Sequence, residues 1–300
     1  MTITDTTLIQ SLTNQLIMQQ DNIAQLQMQL ASGQVLNRPS DNPTAVTQVL
    51  ALSSQASQLA SWQTNADMAK SWLGTATDTA NNVINAMQSA RSLLLGAANQ
   101  GVQDPTSYQA IGSQIQGIIT NLRSLANTEY GSRPIFAGTS ATPQAYDSSG
   151  NYLGNGDAAT VVIGPGTGSG QTVDLSVPGT ALFGTGTANV FATLSGAANA
   201  LLTGAPTSAN ISTALNALDA NISTAEQASA TLGNSALQVS DTSANLSSQI
   251  ANIQANQANL EDVNLATATT QLNSDMTNYQ AALWAASRAI PETLAKFVAP

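Results

Sequence analysis

Residues 211–260 read ISTALNALDANISTAEQASATLGNSALQVSDTSANLSSQIANIQANQANL. Ile211, Leu218, Ala225, Leu232, Val239, Leu246, Ile253 and Leu260 follow one another at intervals of seven, and all are apolar. Between them run Leu215, Ile222, Ser229, Ala236, Ser243, Ile250 and Gln257. The two rows interleave in the 4-3 rhythm of a long helix that lays one seam against partner helices. Gly233 alone interrupts it, and there is no proline. At 1.5 Å per residue such a helix reaches roughly 75 Å. That length does not suit the core of a compact enzyme. The polar seam members Ser229, Ser243 and Gln257 weaken a dry core and are expected to set register.

Working outward, the pattern recurs. Ala69, Leu73, Ala76, Ala80, Val83, Met87, Ala90 and Leu94 repeat the rhythm in a helix expected from Pro43 to about Asn99, with Gly101 ending it. Asp104-Pro105 caps the next helix, with Tyr108, Ile111, Ile115, Ile118, Leu122 and Leu125 as its seam. Matched periods predict that these helices pack in one elongated bundle. From Gly131 to about Gly186 the chain turns rich in Gly, Thr, Ser and Pro. With the short apolar runs Ile135-Phe136 and Thr160–Ile163 it reads as a small β-rich insertion, and Tyr146–Tyr152 predicts a hairpin around an Asp/Gly/Asn turn. A short helix over about Ala188–Leu202 is ended by Gly204 and Pro206.

Both chain ends are amphipathic. Ile9, Leu12, Leu16, Ile23, Leu26 and Leu30 form a stripe with Gln19 its polar member, closed by Gly33 as a C-cap. Pro39 and Pro43 interrupt the helical pattern, and Asn42-Pro43 supplies an N-cap and first-turn pair. After Leu260 the seam shifts at Val263-Asn264-Leu265, then resumes as Leu265, Ala268, Leu272, Met276, Tyr279, Leu283, Ala286 and Ile290. Pro291 is expected to break or kink this helix, with Leu294, Phe297 and Val298 closing the chain. The fold class is therefore mainly α with a small β-rich insertion. Its divisions are terminal helices over 1–41 and 264–300, a helical bundle over 42–131 and 206–263, and a β-rich outer domain over 132–205.

Composition excludes much. Charged residues make up 8% of the 300 and aromatics 4%, so Ser, Thr, Asn, Gln and Ala must build the surface. A net charge of −10 with only seven Lys and Arg opposes nucleic-acid binding. With no Cys and no His there are no disulfides, thiol nucleophiles, imidazole acid–base groups or Cys/His zinc sites. No apolar run approaches the ~18 residues of a membrane span. The first ten residues lack the basic and apolar regions of a Sec signal, so the expectation is a protein that stays inside or leaves by another route.

Three constellations resemble chemical sites and are set aside. The Gly164–Gly170 run lacks the Lys and following helix of a phosphate loop. Asp147–Asp157 lacks EF-hand spacing and a bidentate Glu. Glu261-Asp262 are sequence neighbours on a helix and do not face one another. Trp62, Trp72 and Trp284 are expected as core or interface anchors. No catalytic residue, cofactor or metal site is expected.

Leu30–Asn37 followed by Pro39-Ser40-Asp41-Asn42-Pro43 resembles the N-terminal signature of the bacterial flagellin superfamily. Leu260-Glu261-Asp262-Val263-Asn264-Leu265-Ala266 and Tyr279–Leu283 resemble the C-terminal signature of its hook–filament junction branch. Ile135–Thr139 is similar to that branch's entry into its outer domain. Asn42 and Asn264 stand where the family usually has acidic residues. The resemblance implies a structural, non-enzymatic flagellar component, with a flagellin filament subunit as the alternative. It further implies a ring of copies between a hook-side hook-associated protein and filament-side flagellin, and location outside the cell. Export would follow the type III route, with a cytoplasmic chaperone on the C-terminal helix. The terminal helices would form the inner tube and the β domain would face outward. Neither nucleic acid nor membrane is an expected partner. The assembly interface is expected at Ile9, Leu12, Leu16, Ile23, Leu26 and Leu30 on one helix, and at Leu265, Leu272, Met276, Tyr279, Leu283 and Ile290 on the other. Burial there against neighbouring copies offsets the cost of ordering the two ends.

Overall fold

The computed structural model describes residues 2–99, 104–166, 170–204 and 206–298. Among the described residues the helices are α1 Thr2–Ser32, α2 Pro43–Asn99, α3 Pro105–Ala126, α4 Gly179–Phe183, α5 Val190–Leu202, α6 Ser208–Glu261 and α7 Leu265–Val298. Short strands there form antiparallel pairs: β1 Glu129–Tyr130 with β2 Arg133–Pro134, and β3 Thr160–Gly164 with β4 Gln171–Asp174. The fold is thus mainly helical with a small β-containing insertion, as the periodicity predicts. The expected helix end at Gly101, and part of the Gly164–Gly170 run, lie outside the described residues.

The chain divides into two compact units, residues 1–58 with 249–300 and residues 59–248. In the second unit the heptad seams account for the core. Ala69, Leu73, Ala76, Ala80, Val83, Met87, Ala90 and Leu94 are all buried, as are Ile211, Leu218, Ala225, Leu232, Val239 and Leu246. The polar residues beside these rows link α2 to α6. Gln63 Nε2 donates to Ser243 Oγ at 2.7 Å, and Ser229 Oγ to Asn81 Oδ1 at 3.2 Å. Arg91 pairs with Asp219 at 2.5 Å. As α2 numbers rise, α6 numbers fall, so the pairing is antiparallel. Ser229 and Ser243 thus bridge α6 to α2, while Gln257 is half-buried.

The α3 seam keeps Ile115 and Leu122 of its expected row and moves by one position at the others. Gly112, Ile115, Ile119, Leu122 and Ala126 are buried, while Ile111 and Ile118 are half-buried. The cause is α5, which packs on α3. A Cβ at Gly112 would lie 3.0 Å from Leu202 Cγ and 3.1 Å from the Ala198 carbonyl, so the missing side chain sets the approach of the two helices. Asn189 caps α5 by accepting from Ala192 N at 2.7 Å.

The insertion is held less by its strands than by rings. Tyr146, Phe136, Phe183 and Phe191 are all buried; Phe183 stacks on Phe191 at 5.5 Å and Tyr146 lies 5.1 Å from Phe183. Asn127 brackets Tyr146, accepting from its N–H and donating to its carbonyl, both at 2.9 Å. The expected hairpin is present as a single bridge between Tyr146 and Tyr152. Its turn is fixed by Asp147, whose carboxylate accepts from the Asn151 side chain and from the Ser149 and Asn151 amides. Those bonds, the Asn151 side chain first, hold the Asp147 carboxyl below the usual range.

Two expectations need correction. The expected interruption at Pro291 is not a break, for helix α7 continues to Val298. A proline ring removes one ladder donor and crowds the carbonyl one turn back, and the flanking backbone bonds of the helix offset that cost. Trp284, expected as a core or interface anchor, is no part of the core, for the residue is 71% exposed. Trp72 does anchor the core, buried 5.3 Å from the Tyr130 ring.

Candidate functional site

The two chain ends meet at a small joint. Gly33 adopts φ +75° and its amide donates to the Gln29 carbonyl at 2.8 Å, which closes α1 as a C-cap. The chain then passes beside the end of α6. Val35 N donates to the Glu261 carbonyl at 2.6 Å, and Val263 N to the Gly33 carbonyl at 3.0 Å. These bonds make an antiparallel bridge between Gln34 and Asp262. Both sequence signatures therefore meet in one backbone clasp.

Side chains brace the clasp. Asp41 Oδ2 accepts from Asn37 N at 3.1 Å and Arg38 N at 2.8 Å, which curls the proline-containing turn. Asn37 Nδ2 donates to the Gln34 carbonyl at 2.9 Å. Asn42 Oδ1 caps α2 by accepting from Ala45 N at 3.1 Å, with Pro43 at the first helical position. Asn264 caps α7, accepting from Thr267 N at 3.2 Å. Asparagine thus serves at both caps, where the usual acidic residues would add charge.

From this joint α1 and α7 run as a packed antiparallel pair. Leu12, Leu16, Ile23, Leu26 and Leu30 are half-buried along α1, with Gln19 among them. The covered row on α7 is Ala268, Leu272, Asp275, Tyr279, Ala282 and Ala286. The half-buried row of α1 is rich in large apolar residues, whereas the covered row of α7 mixes Leu272 and Tyr279 with Asp275 and three alanines. Gln19 Oε1 is buried without a hydrogen-bond partner.

Of the expected interface residues, Leu272 and Tyr279 lie in the covered row. Leu265, Met276 and Leu283 lie beside it, 57%, 40% and 42% exposed. The side chains of Ile9 and Ile290 lie outside the described residues. The ends therefore pair within one chain yet leave an apolar strip bare. Asp275 and Ala282 escape a search for large apolar residues; the strict 4-3 spacing from Ala268 to Ala286 is the signal that finds them. The clasp itself links residues more than two hundred positions apart. Its only sequence signal is that both signatures sit at a helix break.

Among the described residues, no group of three or more His, Cys, Asp or Glu could hold a metal ion. No described helix is long and apolar enough to cross a membrane. What the joint offers is packing: paired helices with apolar surface left over.

A chain whose first and last helices pair with each other, with the middle of the sequence inserted between them, has a nested helical fold. The profile of the bacterial flagellin N-terminal helical region matches residues 3–141, and that of the C-terminal helical region residues 215–293. The chain belongs to the bacterial flagellin family. It is 26% identical to flagellar hook-associated protein 3 of Salmonella typhimurium over 163 residues, 54% of this chain and 50% of that protein. The match spans about half the length of that relative. The fold is shared with FlgL of Bacillus cereus, with a TM-score of 0.60 at 21% identity over 69% of this chain and 99% of the other. It is also shared with a structure described as a flagellar hook-associated protein from Vibrio parahaemolyticus, at TM-score 0.67 and 20% identity over 74% of this chain and all of the other.

Proposed function

We propose that this chain is a structural adaptor of the bacterial flagellum, joining hook to filament by packing against copies of itself and performing no catalysis. The observation that carries this reading is the α1–α7 pair, clasped at its base yet bare along Leu265, Met276 and Leu283. A finished monomer would cover such a strip; a subunit keeps it for its neighbours. The name of the Salmonella relative supports the hook-associated rather than the filament role.

On this reading the segments 1–41 and 264–300 do the assembling, the bundle 42–131 with 206–263 carries them, and 132–205 is an appended outer domain. Copies form a ring. Its neighbours are a hook-associated protein on one side and flagellin on the other. A cytoplasmic chaperone holds the C-terminal helix before type III export, and the mature protein resides at the hook–filament boundary outside the cell.

The second reading is a flagellin filament subunit, favoured by the flagellin profiles themselves. Gene deletion separates the two. Loss of an adaptor leaves hooks and releases unpolymerised flagellin into the medium. Loss of a filament subunit leaves capped hooks and a medium free of flagellin, and that outcome would overturn the adaptor reading.

A further inference from the structure

Asn155-Gly156 is the only Asn-Gly pair in the sequence. Asparagine before glycine is the pairing in which a backbone nitrogen most readily attacks a side-chain carboxamide, because glycine puts no Cβ in the way and bends freely. The pair lies in an irregular loop of the insertion, between the Tyr146–Tyr152 bridge and β3. Gly156 is exposed, and a Cβ added there would meet no atom within 4 Å. Its N–H has no hydrogen-bond partner among the described residues. The attacking nitrogen is therefore unobstructed and uncommitted.

The carboxamide, by contrast, is clamped. Asn155 Oδ1 accepts from Thr139 N at 2.9 Å. Its Nδ2 donates to Thr139 Oγ1 at 2.7 Å and to Asp157 Oδ2 at 3.2 Å. The main chain adds a bond on each side: Asn155 N donates to the Ala137 carbonyl at 3.2 Å, and the Tyr152 hydroxyl donates to the Asn155 carbonyl at 2.7 Å. Gly138, at φ +69°, clears the space, for a Cβ there would collide with Asn155 Oδ1. Only an amide fits this clamp, since it must accept from one N–H and donate to a hydroxyl and a carboxylate. An aspartate in its place keeps the acceptor, loses both donors and sets a second negative charge beside Asp157.

We propose that Asn155 is a deamidation site held in check by Thr139, and that its conversion opens the clamp for good. Local opening frees the carboxamide. Gly156 N then bonds to Asn155 Cγ, the Cγ–Nδ2 bond breaks, and ammonia leaves with the proton from the Gly156 nitrogen. Water opens the resulting five-membered imide at either carbonyl. The product is aspartate or, with the main chain rerouted through Cβ, isoaspartate. The balance is asparagine plus water to either carboxylate plus ammonia, with no oxidant or cofactor. Either product places a carboxylate where the clamp needs an amide, so the segment Ala137–Thr139 cannot be gripped again. The step runs one way and marks an insertion that has opened. It does not rest on the assembly reading.

The full-length chain is incubated in mildly alkaline buffer, folded or in urea. Mass spectrometry follows the peptide spanning residue 155, with electron-transfer fragmentation to tell isoaspartate from aspartate. Conversion should be roughly tenfold slower in the folded chain, because it waits on opening. Thr139→Val removes the Oγ1 acceptor and should speed conversion in the folded chain about fivefold, whereas Thr139→Ser keeps the acceptor and should not. Gly156→Ala, whose Cβ meets open space, should slow conversion in both states. Asn155→Asp, standing for one product, should speed amide exchange in peptides from 136–142 and 150–158 and leave those from 69–94 unchanged. An Asn155 that persists in urea, or converts equally fast folded and unfolded, overturns the proposal. So does a folded Thr139→Val chain that converts no faster than the native one. If that variant loses helix content, the comparison of the native chain with and without urea decides.

Discussion

Gln19→Leu should tighten the α1–α7 pair of the isolated chain. Gln19 occupies the α1 stripe, and its Oε1 is buried without a partner. An acceptor buried and unpaired costs about 1–3 kcal/mol. Leucine removes that cost and extends the run Leu12, Leu16, Ile23, Leu26 with a residue of similar volume. The α1–α7 pair opens locally, and its opening free energy sets amide exchange along both helices. A gain of about 1–3 kcal/mol corresponds to roughly five- to 150-fold slower exchange. Hydrogen exchange read by mass spectrometry on peptides from 10–30 and 268–287 measures this, with peptides from 69–94 as an internal standard. Those bundle peptides should not change. Unaltered or faster exchange in the terminal peptides would refute the claim that an unpaired amide weakens the seam.

Gly33→Ala forces a side chain into φ +75° and should cost about 1–2 kcal/mol at the clasp; faster protease cleavage between 30 and 36 checks it. Gly112→Val should overpack the α3–α5 contact and cost about 1–3 kcal/mol, seen as a lower melting temperature of the 59–248 unit. Tyr146→Phe should leave stability equal or higher at neutral pH, because the buried hydroxyl has no partner. Burial, with a smaller contribution from Tyr152, pushes the Tyr146 phenol up, so the folded state binds its proton more tightly than the unfolded one. The resulting stability is present below the unfolded value near pH 10 and is lost as pH rises above it. The phenylalanine variant should therefore show a shallower alkaline decline in denaturant titrations at pH 9–11.

Much of the fold was legible because its cause is local and periodic. Ala69–Leu94 and Ile211–Leu246 repeat every three or four residues, and such a row stays on one face whatever packs against it. The α3 row moved by one position at Gly112, Ile119 and Ala126, because α5 approaches Gly112, which no hydrophobic count rewards. Helix α7 was legible only in part: Ala268, Leu272, Tyr279 and Ala286 of its expected row are covered within the chain, and so are Asp275 and Ala282, which a search for large apolar residues passes over. Shape complementarity between two helices is a property of the pair, and neither sequence alone contains it. The clasp between Gln34 and Asp262 was hidden for a similar reason, since backbone hydrogen bonds carry no side-chain signature.

The adaptor reading is tested most directly by immunogold electron microscopy of intact flagella, with antibody raised against the 59–248 unit. The account predicts gold as a single band at the boundary between hook and filament. Gold distributed along the length of the filament would contradict it and assign the chain to the filament itself.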